Sequence, residues 1–148
     1  MAKFQFKLQT LLNHRQRIEE QRQSELAQAY RQLEQQQGVI EGLRGRLDYY
    51  QGQYEVRPGG SIDINQRALL HNYICRTVEE ISKQETVLAD IRAAVEAKRA
   101  NLEAALKDRK VLEKLKERDL RTYAQDLMRR EQLSLDEIVV QQVAAKRR

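Results

Sequence analysis

Apolar side chains recur every seven residues through the first third of the chain, at Leu26, Leu33, Ile40, Leu47 and Tyr54. Ala29, Leu43 and Tyr50 stand three places after members of that series. These are the a and d rows of a coiled coil, where a seven-residue repeat keeps one seam of the helix turned to a partner helix. Leu8, Leu11, Leu12 and Ile18 carry a similar stripe toward the N-terminus. Glu19, Arg22 and Gln36 fall on the same rows and dilute the seam, so this helix depends on packing for most of its stability. The pattern predicts a first helix over about 7–55.

"EVRPGGSIDI" at residues 55–64 interrupts the repeat. Pro58 disfavours helical geometry at Arg57, and Gly59-Gly60 accepts turn geometry, so the chain reverses within 56–62. Asp63 with Gln66 three residues on has the form of a capping box and marks the start of a second helix, about 63–132. Ile74, Ile81, Leu88, Val95 and Leu102 repeat at seven, with Leu70, Ile91 and Ala105 in part of the companion row. A short connection between two long helices favours an antiparallel hairpin. Folding about Gly59 sets Leu47 near Leu70 and Tyr73, Ile40 near Val78, and Leu33 near Leu88.

Beyond Leu106 the apolar positions Leu112, Leu115, Leu120, Tyr123 and Leu127 make an offset stripe, which reads as a stutter. In this register Met1 faces the region just after Leu115, so the second helix overhangs from there. In "LSLDEI", Ser134 and Glu137 form a capping box, with Leu133 and Ile138 at the staple positions, which predicts a short final helix over 134–146. The expected fold is all-α: a single coiled-coil domain over 1–148, an antiparallel two-helix hairpin with a protruding C-terminal helical segment.

Composition agrees with a seam in place of a compact core: 33% of residues are charged, mean hydropathy is −0.78 and there is one proline. The net charge of +5 permits an acidic partner without choosing one. "KDRKVLEKLKERDLR" at 107–121 holds seven basic and four acidic residues, a mixture that ordinary solvated helix accounts for. It lacks the aromatic platforms of RNA binding and the bulky apolar face of a membrane-surface helix, so neither nucleic acid nor membrane insertion is expected. One cysteine, Cys75, and the lack of a signal-peptide core or membrane-length apolar run point to a soluble protein of the reducing cytoplasm.

Catalytic chemistry is not expected. His14 and His71 are far apart in the chain, His71 reads as a half-buried packing residue beside the seam, and no phosphate loop, nucleophile elbow or metal cluster appears. No enzyme activity, cofactor or metal is therefore expected. Four of six tyrosines, Tyr49, Tyr50, Tyr54 and Tyr73, gather around the turn of a chain only 5% aromatic. Tyr50 and Tyr54 lie on seam rows, where packing explains them, but Tyr49 lies on an outer row. Tyrosine is enriched at interfaces, so the cluster has the character of a docking site. Gly38, Gly45 and Gly52 all fall on the outermost row, either as tolerated drift or as a smooth strip for a partner's backbone.

"FQFKLQTLLNHRQRIEEQ" at the N-terminus, "DYYQGQY" with "LLHNYI" around the turn, and "LDEIVVQQVAAKRR" at the end resemble the FliJ family, across essentially the whole chain. FliJ proteins are the small soluble components of the bacterial flagellar type III export apparatus. The resemblance implies an antiparallel two-helix coiled coil similar to the gamma stalk of rotary ATPases. It implies binding within the hexameric ring of the export ATPase FliI, contact with the cytoplasmic part of the export gate FlhA, and interaction with export chaperones. It places the protein in the cytoplasm, peripherally associated with the inner membrane at the flagellar base. Carried over by position, gate contacts fall on Leu43, Leu47, Tyr50 and Tyr54, and on Tyr73, Thr77, Glu80 and Gln84. Thr77 and Glu80 are more polar than the family pattern. Tyr49 joins this surface on its outer position alone. The terminal end, with Leu133, Ile138, Lys146 and Arg147, would sit in the ATPase ring. A stalk or chaperone of an injectisome, or a generic coiled-coil adaptor, is the alternative.

Overall fold

The computed structural model describes residues 3–55 and 63–147. It contains two helices, α1 (Gln9–Tyr54, 46 residues) and α2 (Ile64–Lys146, 83 residues), with no strand among the described residues. Good helix formers fill both, and neither carries an internal proline. Asp63 caps α2: its Oδ1 accepts the Asn65 N–H at 3.2 Å, and its carbonyl accepts from Arg67 N at 3.0 Å. The expected turn at 56–62 lies outside the described residues. No described helix is long and apolar enough to cross a membrane.

Contacts divide the chain into two compact units, Met1–Glu20 with Glu103–Arg148, and Gln21–Leu102. Paired helices touch only what lies directly across from them, so contacts do not gather into one centre. Sixteen basic and eleven acidic side chains fall in the first unit and eleven of each in the second, so the whole net charge belongs to the first.

Within each unit the pairing is antiparallel. In Gln21–Leu102, Glu25 meets Lys98, Gln36 meets Gln84, Arg44 meets Glu85 and Tyr50 meets Tyr73. In the other unit Phe4 meets Tyr123, Gln9 meets Lys116 and Arg15 meets Asp108. Each step up α1 is a step down α2, which makes the two-helix hairpin.

The inward positions of α1 alternate by three and four: Leu12, Arg15, Glu19, Arg22, Leu26, Ala29, Leu33, Gln36, Ile40, Leu43, Leu47, Tyr50 and Tyr54 are all buried or half-buried. Leu12 and Ile18 turn inward, whereas Leu8 and Leu11 stay exposed. On α2 the inward series runs from Leu70 and Ile74 through Leu88 and Val95 to Ala105, Arg109, Leu112, Lys116, Asp119 and Tyr123 without losing its phase. The stutter expected after Leu106 is therefore not there. Arg109 and Lys116 occupy seam positions on their aliphatic stems, while Leu120 stays exposed. Val78, expected opposite Ile40, is also exposed, because Thr77 and Ile81 take the inward rows.

The polar residues on the seam pair with one another. Glu19, 9% exposed, accepts from Arg109, which also bonds Glu113. Glu25 is held by Arg22 at 3.1 Å and Lys98 at 3.5 Å. Gln36 Nε2 donates to Gln84 at both its side-chain oxygen, 2.7 Å, and its carbonyl, 3.0 Å. No buried side-chain nitrogen or oxygen among the described residues lacks a partner.

Two further expectations change. The overhang begins after Tyr123 and not after Leu115, because residues 3–6 precede the helix in non-helical backbone and reach farther along α2 than helical residues would. And α2 passes through Ser134 unbroken to Lys146, so the separate helix expected over 134–146 is the last part of α2. A capping side chain serves a helix only where the helix starts, and the residues on both sides of Ser134 are good helix formers.

The Arg22 hydrogen bond holds the Glu25 carboxyl below the usual carboxylate range; desolvation opposes it in part, and the Lys98 charge adds to the lowering. A lowered folded-state pKa contributes stability that is complete above the unfolded value and is lost as pH falls through the folded one. Glu25→Gln is expected to flatten the fall in urea midpoint between about pH 6 and about pH 3. A second outcome follows from Gly45, where an added Cβ would meet nothing within 4 Å. Gly45→Ala should raise stability by about 1 kcal/mol in the same titration, since only the helix propensity changes.

Candidate functional site

Helices without a central core leave function to exposed surface, and two stretches of surface stand out. Among the described residues no group of three or more His, Cys, Asp or Glu could hold a metal ion.

The first surface lies where α1 ends and α2 begins. Tyr50 is half-buried on the seam and stacks on Tyr73 of α2, with centroids 5.6 Å apart and planes at 21°. Tyr49 meets Tyr50 edge-on at 5.9 Å and is itself 65% exposed, as its outer row predicts. Tyr54 is half-buried against His71, 6.3 Å between rings, with the Arg67 guanidinium 4.7 Å over its face. The rings thus present large amphipathic faces from rigid helices, with a cation stacked at one edge.

His71 is exposed, not half-buried as expected; its ring lies between Tyr54 and Cys75, whose sulfur is 3.6 Å from Nε2. Arg67 was not singled out from the sequence. Its one signal was its place four residues before His71, on the face that packs against Tyr54.

The other residues assigned to this surface divide. Leu43 and Leu47 are turned into the seam and half-buried. Thr77 is half-buried and donates its hydroxyl to the Tyr73 carbonyl at 2.7 Å, so its polarity is satisfied by its own helix. Glu80 accepts from Gln84 at 2.8 Å, and Gln84 accepts from Gln36. Glu80 and Gln84 thus form a polar layer with Gln36.

The second surface is the last part of α2. Every residue from Ala124 to Arg147 is exposed. Leu133 is 64% and Ile138 47% exposed, and Leu135, Val139, Val140 and Val143 are uncovered as well. Leu135, Ile138, Val139 and Val143 share one side by their three- and four-residue spacing. Lys146 lies in the last turn, where its charge opposes the partial negative charge of the helix end. Helices draw most of their stability from packing an apolar side, and here that side is uncovered.

The aromatic cluster predicts a split between neighbours. Tyr50→Ala should cost about 1–3 kcal/mol in chemical unfolding, since it removes a half-buried stacked ring. Tyr49→Ala should stay within about 0.5 kcal/mol.

No curated protein and no solved structure matches the chain. The family model described as "Flagellar FliJ protein" matches residues 4–148. That span takes in both surfaces and the whole of both helices. The chain belongs to the FliJ family, and so to the components of flagellar protein export.

Proposed function

We propose that this protein is a non-enzymatic stalk of the flagellar export apparatus, joining the ring of the export ATPase FliI to the cytoplasmic part of the export gate FlhA. The observation that carries this reading is the unpaired stretch of α2 after Tyr123, helical yet exposed throughout. Twenty-three helical residues span roughly 35 Å. A ring of subunits could surround such a segment and order it, as the gamma stalk of a rotary ATPase is surrounded. Leu133, Ile138, Lys146 and Arg147 would make the contact there.

The aromatic cluster supports the other half of the proposal. Tyr49, Tyr50, Tyr54 and Tyr73 would dock the gate, with Arg67 and His71 at the edge of the patch. Leu43, Leu47 and Thr77 would act by holding the rings in place. The protein would work in the cytoplasm at the inner-membrane face of the flagellar base, supporting ATPase assembly and handling export chaperones with their substrates. Stalk and scaffold need no cofactor.

Two titrations test the division of labour. A protein ending at Tyr123 should keep its helical hairpin, lose ATPase binding by tenfold or more, and bind the gate fragment unchanged. Tyr49→Ala with Tyr54→Ala should do the reverse. Truncation that leaves ATPase affinity intact would remove the ring assignment, and parallel loss of both partners would trace the effect to folding.

A further inference from the structure

The first described residues do more than lead into α1. Residues 3–6 are non-helical and 7–8 form a turn, closed by the hydrogen bond from Gln9 N to the Phe6 carbonyl at 3.1 Å. Phe6 is 8% exposed in a cluster with Leu12 and Leu112, and Phe4 and Leu115 pack against that cluster. Phe4 also meets Tyr123, ring centroids 5.5 Å apart at 51°. Lys116 Nζ donates to Gln9 Oε1 at 2.8 Å, beside the point where the arm joins the helix. The arm therefore covers α2 from Leu112 to Tyr123, directly before the stretch that nothing covers.

Its attachment differs from that of the helices. A helix satisfies its own backbone and is fixed along its length, whereas this arm is held by two phenylalanine side chains. Burial of those rings favours closure; the conformational freedom of half a dozen backbone units favours release, and the two are of similar size. Release would leave the α1–α2 seam in place, because Arg15, Glu19 and Leu12 make their own contacts with α2.

We propose that residues 3–8 form a releasable strap, closed over Leu112, Leu115 and Tyr123 by Phe4 and Phe6, that opens without unfolding the helix pair. Closed, the strap ends the covered part of α2 at Tyr123. Open, it uncovers Leu115 and Tyr123 beside the exposed Leu120 and Leu127, and the free apolar surface of α2 grows by more than two turns. The strap sets how much of α2 is available to whatever binds its last part. Segments with few buried contacts open locally at a small fraction of the cost of global unfolding.

Hydrogen exchange on the full-length protein tests this. The Gln9 amide, whose acceptor is the Phe6 carbonyl of the arm, is expected to exchange through an opening that is insensitive to low denaturant, while the amides of 29–40 and 88–95 exchange only with global unfolding. Phe4→Ala, which removes the half-buried ring alone, should speed exchange at Gln9 by about tenfold. Phe4→Leu should restore most of the protection. Amides of 29–40 and 88–95 should keep their rates in both variants. Unchanged exchange at Gln9 would overturn the strap, because the Phe4 ring would then hold nothing closed. Equal acceleration in 29–40 and 88–95 would also overturn it, by making the arm part of the global folding core.

Discussion

Each seam residue of a helix pair has one neighbouring helix to bury against, and the whole molecule is built on that restriction. Among the described residues no side chain reaches full enclosure; Leu12, the most buried of them, keeps 2% of its surface. A globular core gathers apolar side chains from many directions, but a seam must repeat the same contact at every turn. The three-and-four alternation is kept from Leu12 to Tyr54 and from Leu70 to Tyr123 for this reason. Polar residues on the rows are tolerated because an edge of each remains close to water, and because partners stand across the seam. Arg109 between Glu19 and Glu113 and Gln36 on Gln84 also favour one register over its neighbours, since a slip by one heptad would separate them.

Much of this was legible in the chain. The seven-residue spacing of Leu26 to Tyr54 and of Ile74 to Leu102 gave both helices and their inward faces, and Asp63 marked the start of α2. Polar seam residues were harder. Glu19 and Gln36 read as weak points because their partners, Arg109 and Gln84, are identified only once the helices are set side by side, whereas Arg22 pairs with Glu25 three residues on along its own helix. After Leu106 the apolar residues suggested a shifted stripe. A long cation such as Arg109 or Lys116 can occupy a seam position with its stem while hydropathy marks it as surface. The Ser134 signal was local and real as chemistry, yet α2 had no reason to stop there.

The two candidate surfaces differ in the same respect. Tyr49, Tyr50, Tyr54 and Tyr73 could be grouped from composition around the turn; Tyr50 stacks on Tyr73 across the helices, Tyr49 meets Tyr50 on α1, and Tyr54 meets His71. Arg67 and His71 complete the patch through helix phase, which is visible only after the register is known. Glu80 and Gln84 were carried into this surface by resemblance, and in the structure they hydrogen-bond toward Gln36. The N-terminal arm has no periodicity at all, so no pattern along the chain could announce where Phe4 and Phe6 would come to rest.

The unequal division of charge has a kinetic meaning. Residues 21–102 carry as many acidic as basic side chains, while residues 1–20 and 103–148 carry the whole surplus of +5. A balanced surface exerts little field beyond a Debye length, about 8 Å in physiological salt, whereas a net positive one draws acidic molecules from farther away. An acidic partner would therefore meet the charged unit faster at low ionic strength and more slowly as salt is added. A partner docking on the tyrosine patch would meet a unit with no net charge, so its encounter rate would depend little on ionic strength. One chain thus offers two surfaces that the ionic composition of the cell addresses separately.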